Sequence, residues 1–196
     1  MVYTTLDLIK INKNYSDVMG KISRDLRDEK IIQLKRGLYE SDKDTPGYYL
    51  ASYIYGPSYL SFDYVLSISG LIPEGIYKTY MSATFKKNKK KTYSNYFGDY
   101  LYRDIPEDVF RFGVKTVIEN GYSYQIANVE KALCDKLYTL KPVNNLEGLK
   151  FMLFNDLRID ENMFRKLDFD FIMKISRKYK STNLNLLEKL IKGGDF

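Results

Sequence analysis

Residues Asn14–Glu40, NYSDVMGKISRDLRDEKIIQLKRGLYE, run as a helical pattern, a sharp turn and two short β-forming stretches around Lys35-Arg36-Gly37. That is the order of a recognition helix followed by a β-wing. Val18, Met19, Ile22 and Leu26 recur at steps of three and four, which gathers them on one helix face as a buried stripe. Ser16 stands just ahead of the stripe, where a hydroxyl can accept from the free N–H groups of a first turn. The spacing therefore predicts the N-cap at Ser16, with Tyr15 and Ser16 at the helix tip. Lys21, Arg24 and Arg27 step along the opposite face. A helix of about fourteen residues is roughly 20 Å long, enough to lie in a DNA major groove and offer that face to phosphates and base edges. Ile31-Ile32-Gln33-Leu34 and Leu38-Tyr39 should pair across the glycine turn as a hairpin, which puts Lys35 and Arg36 at a tip that reaches phosphate or minor groove.

A helix followed by a hairpin is also a common structural unit, and a Lys/Arg face serves as well for solvation; Asp17, Asp25, Asp28 and Glu29 dilute its charge. Gly20, inside the helical pattern, costs about 1 kcal/mol relative to alanine and points to a close neighbour, either the preceding helix or a phosphate.

Outward from this stretch, Thr4 or Thr5 can cap a first helix running to about Asn12, with Leu6, Ile9 and Leu8 available to face the second helix. Ser41 to Gly47 is polar and turn-rich, so a boundary is expected there, dividing a DNA-binding unit (1–45) from a larger second unit (46–196). In the second unit, Tyr48 to Tyr55 and Ser61 to Ser69 read as helices stopped by Gly56-Pro57 and Gly70. Ile76 to Thr84 and Tyr93 to Arg103 carry β-formers and are expected to pair as a hairpin across the lysine run Lys86, Lys87, Lys89, Lys90 and Lys91. Asn120-Gly121 between Val114–Glu119 and Tyr122–Ile126 is a strong two-residue hairpin signal, because both turn positions need φ > 0. Asn128 should cap a helix to about Leu140, and 145–196 reads as three or four helices. The fold class expected is thus α+β: a winged helix-turn-helix, then a mixed α/β unit with a helical tail.

The chain has 196 residues, 44% hydrophobic, and a formal charge of +6. No stretch is long and apolar enough to span a membrane and no leader is evident, so a cytoplasmic protein is expected. A single cysteine, Cys134, allows no internal disulfide, and the complete lack of histidine removes the commonest metal ligand and general base. No cofactor-binding signature is present. Between Ile76 and Arg103 seven basic residues stand against the single acid Asp99, a net +6 that equals the excess of the whole chain. Such a cluster repels itself and favours an anionic partner, although a solvated loop accounts for it too. Glu130 and Asp135 are the best candidates for acid chemistry, but a five-residue step places them on different sides of a helix, and paired or solvated carboxylates are the commoner outcome. Cys134, beside Leu133 and Leu137, reads as an inert buried thiol.

Three stretches together, DLRDEKIIQLKRGLYE, GPSYLSFDYVLSISGLIPE and YQIANVEKALCDKLY, resemble the AbiEi antitoxin/transcriptional regulators of bacterial type IV toxin–antitoxin (abortive infection) systems. The matching motifs are Arg36-Gly37-Leu38-Tyr39 at the wing; Tyr59-Leu60-Ser61 leading to Gly70-Leu71-Ile72; and Ala127, Glu130, Lys131, Ala132, Leu133 and Asp135. Their order and spacing cover about the first 140 residues, and the departure is Tyr64-Val65-Leu66 where the family often has Ser-Ala-Leu. The resemblance implies a protein that is not an enzyme. Its N-terminal winged helix-turn-helix would bind inverted repeats in double-stranded DNA of its own promoter, two copies per operator, and repress the operon. Its C-terminal domain would neutralise a nucleotidyltransferase-like toxin without forming a stable complex. Two other classes fit the residues: a metal-dependent nucleic-acid-processing enzyme using the lysine hairpin with Glu130 and Asp135 as ligands, and an RNA-binding module.

Overall fold

A computed structural model describes residues 1–86 and 90–194. The chain is α+β. Thr4 starts α1 (Thr5–Ile11) with a reciprocal cap: its hydroxyl accepts from the Asp7 N–H at 3.2 Å, and the Asp7 carboxylate accepts from the Thr4 N–H at 2.9 Å. Leu8 is the residue that α1 buries; Leu6 and Ile9, expected to face the second helix, are exposed. The second helix, α2 (Val18–Arg27), has ten residues rather than fourteen. Its cap is Asp17, not Ser16: a carboxylate one residue later accepts from the Gly20 N–H at 2.8 Å. The same contact accounts for Gly20. A Cβ there would lie 1.8 Å from the Asp17 carboxylate, so the helix's own cap is the close neighbour. Ile22 packs with Leu8, Ile31 and Tyr39 in a small core, with Val18 and Leu26 at its margin, whereas Met19 is 55% exposed and leaves the expected stripe.

The chain then forms β2 (Ile32–Lys35) and β3 (Leu38–Glu40), turning at Gly37 with φ +80°. A strand not anticipated, β1 (Val2–Thr4), pairs antiparallel with the other side of β3, so the sheet order is β1-β3-β2.

The larger sheet has the order β6-β7-β5-β4-β9-β8, from β4 (Tyr59–Leu60), β5 (Thr79–Thr84), β6 (Lys91–Asn95), β7 (Gly98–Asp104), β8 (Val114–Glu119) and β9 (Tyr122–Ala127). The β8–β9 hairpin turns as expected through Asn120 (φ +50°) and Gly121 (φ +78°), with Glu119 opposite Tyr122. The expected hairpin across the lysine run is corrected. β5 pairs parallel with β7, and β6 is the outer strand, antiparallel to β7. β6 therefore lies at the sheet edge beyond β7, and the hairpin is the one that turns at Tyr96-Phe97 inside the stretch expected to be a single strand. A parallel β5–β7 pair buries Tyr80, Tyr100 and Tyr102 in the core, which a β5–β6 hairpin would not do.

Gly47–Leu50 forms a 3-10 turn that continues into α3 (Ala51–Ile54), and Ser61 precedes α4 (Phe62–Ile68), both near the expected places. Asn128 caps α5 (Val129–Thr139), accepting from the Lys131 N–H at 2.9 Å. The tail is α6 (Leu146–Phe151), continued by a π turn to Asp156, then α7 (Glu161–Phe164), α8 (Phe169–Ser176) and α9 (Thr182–Gly193). Buried Asn183 donates to the carbonyls of Leu137 (3.1 Å) and Lys141 (3.2 Å) and accepts from the Val143 N–H (3.0 Å), which fixes the exit of α5 against α9.

Several contacts fasten the first forty residues to the rest. Leu34 and Leu38 belong to the large core rather than to the small one, and the Asn95 amide donates to the Leu34 carbonyl at 3.1 Å. The fully buried carboxylate of Glu40 accepts from the Ser41 and Asp42 N–H groups at 2.8 and 3.0 Å and from the Tyr122 hydroxyl at 3.1 Å. Among the described residues no helix is long and apolar enough to cross a membrane.

Candidate nucleic-acid interface

Arg24 and Arg27 are exposed on α2, and Tyr15 and Ser16 are exposed just ahead of it. Arg24 has no ion pair among the described residues; Arg27 lies 3.6 Å from Asp28. Lys21 is engaged within its own helix. It forms an i,i+4 pair with Asp25 and lies over the Tyr15 ring at 5.4 Å, and its side chain is only 20% exposed. A charge satisfied by a carboxylate on the next turn is less available to a phosphate. Lys30 reaches the same acid at 3.9 Å.

At the wing, Arg36 is exposed at the tip, but Lys35 turns back and donates to the Ile54 carbonyl, which helps to hold the wing against α3. The two neighbours thus separate into one residue offered to solvent and one spent on the fold. Lys35 is the last residue of β2, whereas Arg36 already belongs to the turn that leads through Gly37 into β3.

In the lysine run, Lys86 pairs with Glu107 at 2.6 Å, so it too is engaged. Lys90 and Lys91 are exposed and have no ion pair among the described residues. Lys87 and Lys89 lie outside the described residues. Lys91, Tyr93 and Asn95 alternate along β6 and so share a face. Asn95 is the residue bonded to Leu34 of the wing strand, and Tyr93 packs on Tyr55 (centroids 6.0 Å), next to the Ile54 that holds Lys35. The lysine segment therefore starts a strand whose far end abuts the wing. Four residues at about 3.3 Å each put Lys91 about 13 Å along the strand from that junction.

Sequence spacing marked Asp135 as a candidate but did not show the second constellation that gathers around it, at α5. Asp135 is fully buried and takes four donors: Tyr59 and Ser61 hydroxyls on one oxygen at 2.8 Å each, and the Tyr179 hydroxyl (2.6 Å) and Lys131 ammonium (2.7 Å) on the other. Lys131, also fully buried, further meets the Tyr179 oxygen and ring. Burial pulls the Lys131 pKa below its ordinary value against the pull of Asp135, and burial beside that carboxylate pushes both phenols well above theirs. With every Asp135 acceptor direction in use and no path to solvent, the network ties β4, α5 and the turn after α8 together. Glu130 points elsewhere and accepts from the Asp168 N–H at 3.2 Å, so the two carboxylates do not meet. Burial likewise pushes the Cys134 thiol up, as suits an inert core residue. Among the described residues no group of three or more His, Cys, Asp or Glu side chains is placed to hold a metal.

No family model matches this chain, and no curated protein does either.

Proposed function

We propose that residues 1–45 are a winged helix-turn-helix that binds duplex DNA, with α2 in the major groove, Arg36 on the wing and the lysine-led edge strand on flanking phosphate. The observation that carries this is the junction of Asn95 with Leu34, which sets one end of the strand that begins at Lys91 against the wing. Support comes also from the element order β1-α1-α2-β2-β3 with sheet order β1-β3-β2, and from the free, exposed positions of Arg24 and Arg36. The recognition module is close to charge balance, so phosphate affinity has to come mostly from the lysines.

Within that reading the chain is an AbiEi-type antitoxin in the cytoplasm. It represses its own operon through inverted repeats, two copies per operator, and counters a nucleotidyltransferase-like toxin without a lasting complex. Tyr59, Ser61, Lys131 and Asp135, drawn from two separate motifs of that resemblance, meet in one buried network, which favours a shared fold over a chance likeness of short stretches. Footprinting on the DNA upstream of its own gene tests the first part: two protected half-sites about 10 base pairs apart, or a multiple, are expected, and a single unrepeated site counts against it. Deleting the gene beside its neighbour tests the second: the neighbour should become toxic.

A further inference from the structure

A cleft of about 520 Å³ opens between segment 43–48 and the residues that lead into β5 and turn between β6 and β7. That size lies within the usual range of small-molecule sites, about 300–1,000 Å³. Tyr77 and Tyr96, 82% and 58% exposed, both line it. Lys78 adds a cation, its ammonium 5.7 Å from the Tyr77 ring centroid, with no ion pair among the described residues. Across the cleft, Lys43 is committed to Glu29, and Asp44 supplies a carboxylate.

The backbone beneath Lys78 is built for this position. Lys78 sits at φ +50°, a left-handed conformation that a lysine rarely adopts, and its carbonyl accepts from the Asp99 N–H at 2.8 Å. Gly98 is what lets the two segments approach, since a Cβ there would fall 2.2 Å from the Lys78 oxygen. A strained residue held between a hydrogen bond and a glycine contact aims its side chain from a fixed base.

We propose that this cleft binds an unpaired nucleotide, its base lying against Tyr77 and Tyr96 and its phosphate meeting Lys78. Exposed aromatic rings beside a free cation suit a ligand with a flat π face and a negative charge. A base pair within a duplex keeps its faces stacked on its neighbours, so the occupant is unpaired. Asp44 accepts an N–H from the base or a ribose hydroxyl. The proposal does not rest on the duplex-binding reading.

The test is fluorescence anisotropy with labelled oligo(dT) and oligo(rU), with AMP and GMP as competitors. Tyr77→Ala and Tyr96→Ala should each weaken binding by about 5- to 150-fold, the cost of one unstacked base. Tyr77→Phe and Tyr96→Phe keep the ring and should bind like wild type, which separates stacking from any loss of fold. Lys78→Met should flatten the salt dependence by about 0.7 in slope, as for one phosphate of a single strand. Competition by the mononucleotides identifies a free nucleotide as sufficient, and its absence identifies a strand; either supports the cleft. Alanine variants that bind as well as wild type, or a wild-type protein that binds none of these probes, would overturn the proposal. Promoter-duplex affinity measured on Tyr77→Ala should be unchanged, so failure here and failure of duplex binding are seen separately.

Discussion

The side-chain amide of Asn95, at the end of the sheet's outer strand, donates to the backbone carbonyl of Leu34 in the wing strand at 3.1 Å. One hydrogen bond across 61 residues thereby fixes where a strand that begins in lysines ends. Asn95→Ala should cost about 1 kcal/mol of stability, since Leu34 is buried and its carbonyl would lose a partner. Promoter-duplex affinity should fall as the wing loosens. Urea unfolding and a binding titration on the same variant check both; unchanged affinity would show that the junction does not orient the contact.

The cap of α2 gives a pair of variants with opposite expectations. Asp17→Ala removes the acceptor of the Gly20 N–H and should destabilise by about 0.5–2 kcal/mol. Ser16→Ala, which removes an exposed hydroxyl with no capping role, should leave stability within about 0.5 kcal/mol. Thermal melts that rank the two the other way would return the cap to Ser16.

The buried network at α5 should respond unevenly to its two charges. Asp135→Leu leaves the buried Lys131 ammonium without its counter-charge and three hydroxyls without the acceptor they share, and a loss of about 3–5 kcal/mol or failure to fold is expected. Lys131→Met leaves Asp135 with three hydroxyl donors and should cost clearly less. Comparing denaturant midpoints decides it: equal losses would mean that the ion pair, rather than the hydroxyl cage, holds the carboxylate.

Alkaline pH should unfold the protein through its tyrosines. Burial raises the pKa of Tyr59, Tyr64, Tyr100, Tyr102 and Tyr179 above the ordinary value of 10.0. A raised folded pKa means that the folded state holds the proton more tightly, so this stabilisation is full below about pH 10 and is lost as pH climbs toward the folded values. Lys131 works in the opposite sense, its lowered pKa adding stability as pH rises toward 10.5. The five phenols outnumber it. Stability should therefore drop above about pH 10, with tyrosinate absorbance rising in step with loss of helix. Gradual ionisation of these phenols in a folded protein would contradict the burial.

Local chemistry made some elements readable and left others hidden. The Asn120-Gly121 turn and the Asn128 cap were legible because each depends on residues within four positions of one another. β1 and β4 were not, being three and two residues long and defined only by partners far along the chain: Tyr3 lies opposite Tyr39, and Leu60 opposite Ile126. The lysine run looked like a hairpin loop because β-formers flank it, yet pairing follows burial, and Tyr100 and Tyr102 place β7 between its neighbours. At the candidate interface, residue type gave the exposed arginines correctly. It could not show that Lys21, Lys35 and Lys86 are already held by Asp25, the Ile54 carbonyl and Glu107. Asp135 was visible as a residue, but its cage gathers side chains from positions 59, 61, 131 and 179, and no spacing reveals that.

The central claim is that α2, the wing and the lysine-led strand form one contact with duplex DNA. Its most direct test is the salt dependence of affinity for the protein's own promoter duplex and for random duplex, measured for wild type, Arg24→Ala and the triple variant Lys87→Ala/Lys89→Ala/Lys90→Ala. Each lysine on a phosphate adds about 0.9 to the slope of log affinity against log salt. The triple variant should flatten that slope by about two to three and weaken both duplexes alike, while Arg24→Ala should weaken the promoter duplex by about 1–3 kcal/mol and the random one far less. Parallel salt lines for wild type and the triple variant, with promoter affinity unmoved by Arg24→Ala, would contradict the claim.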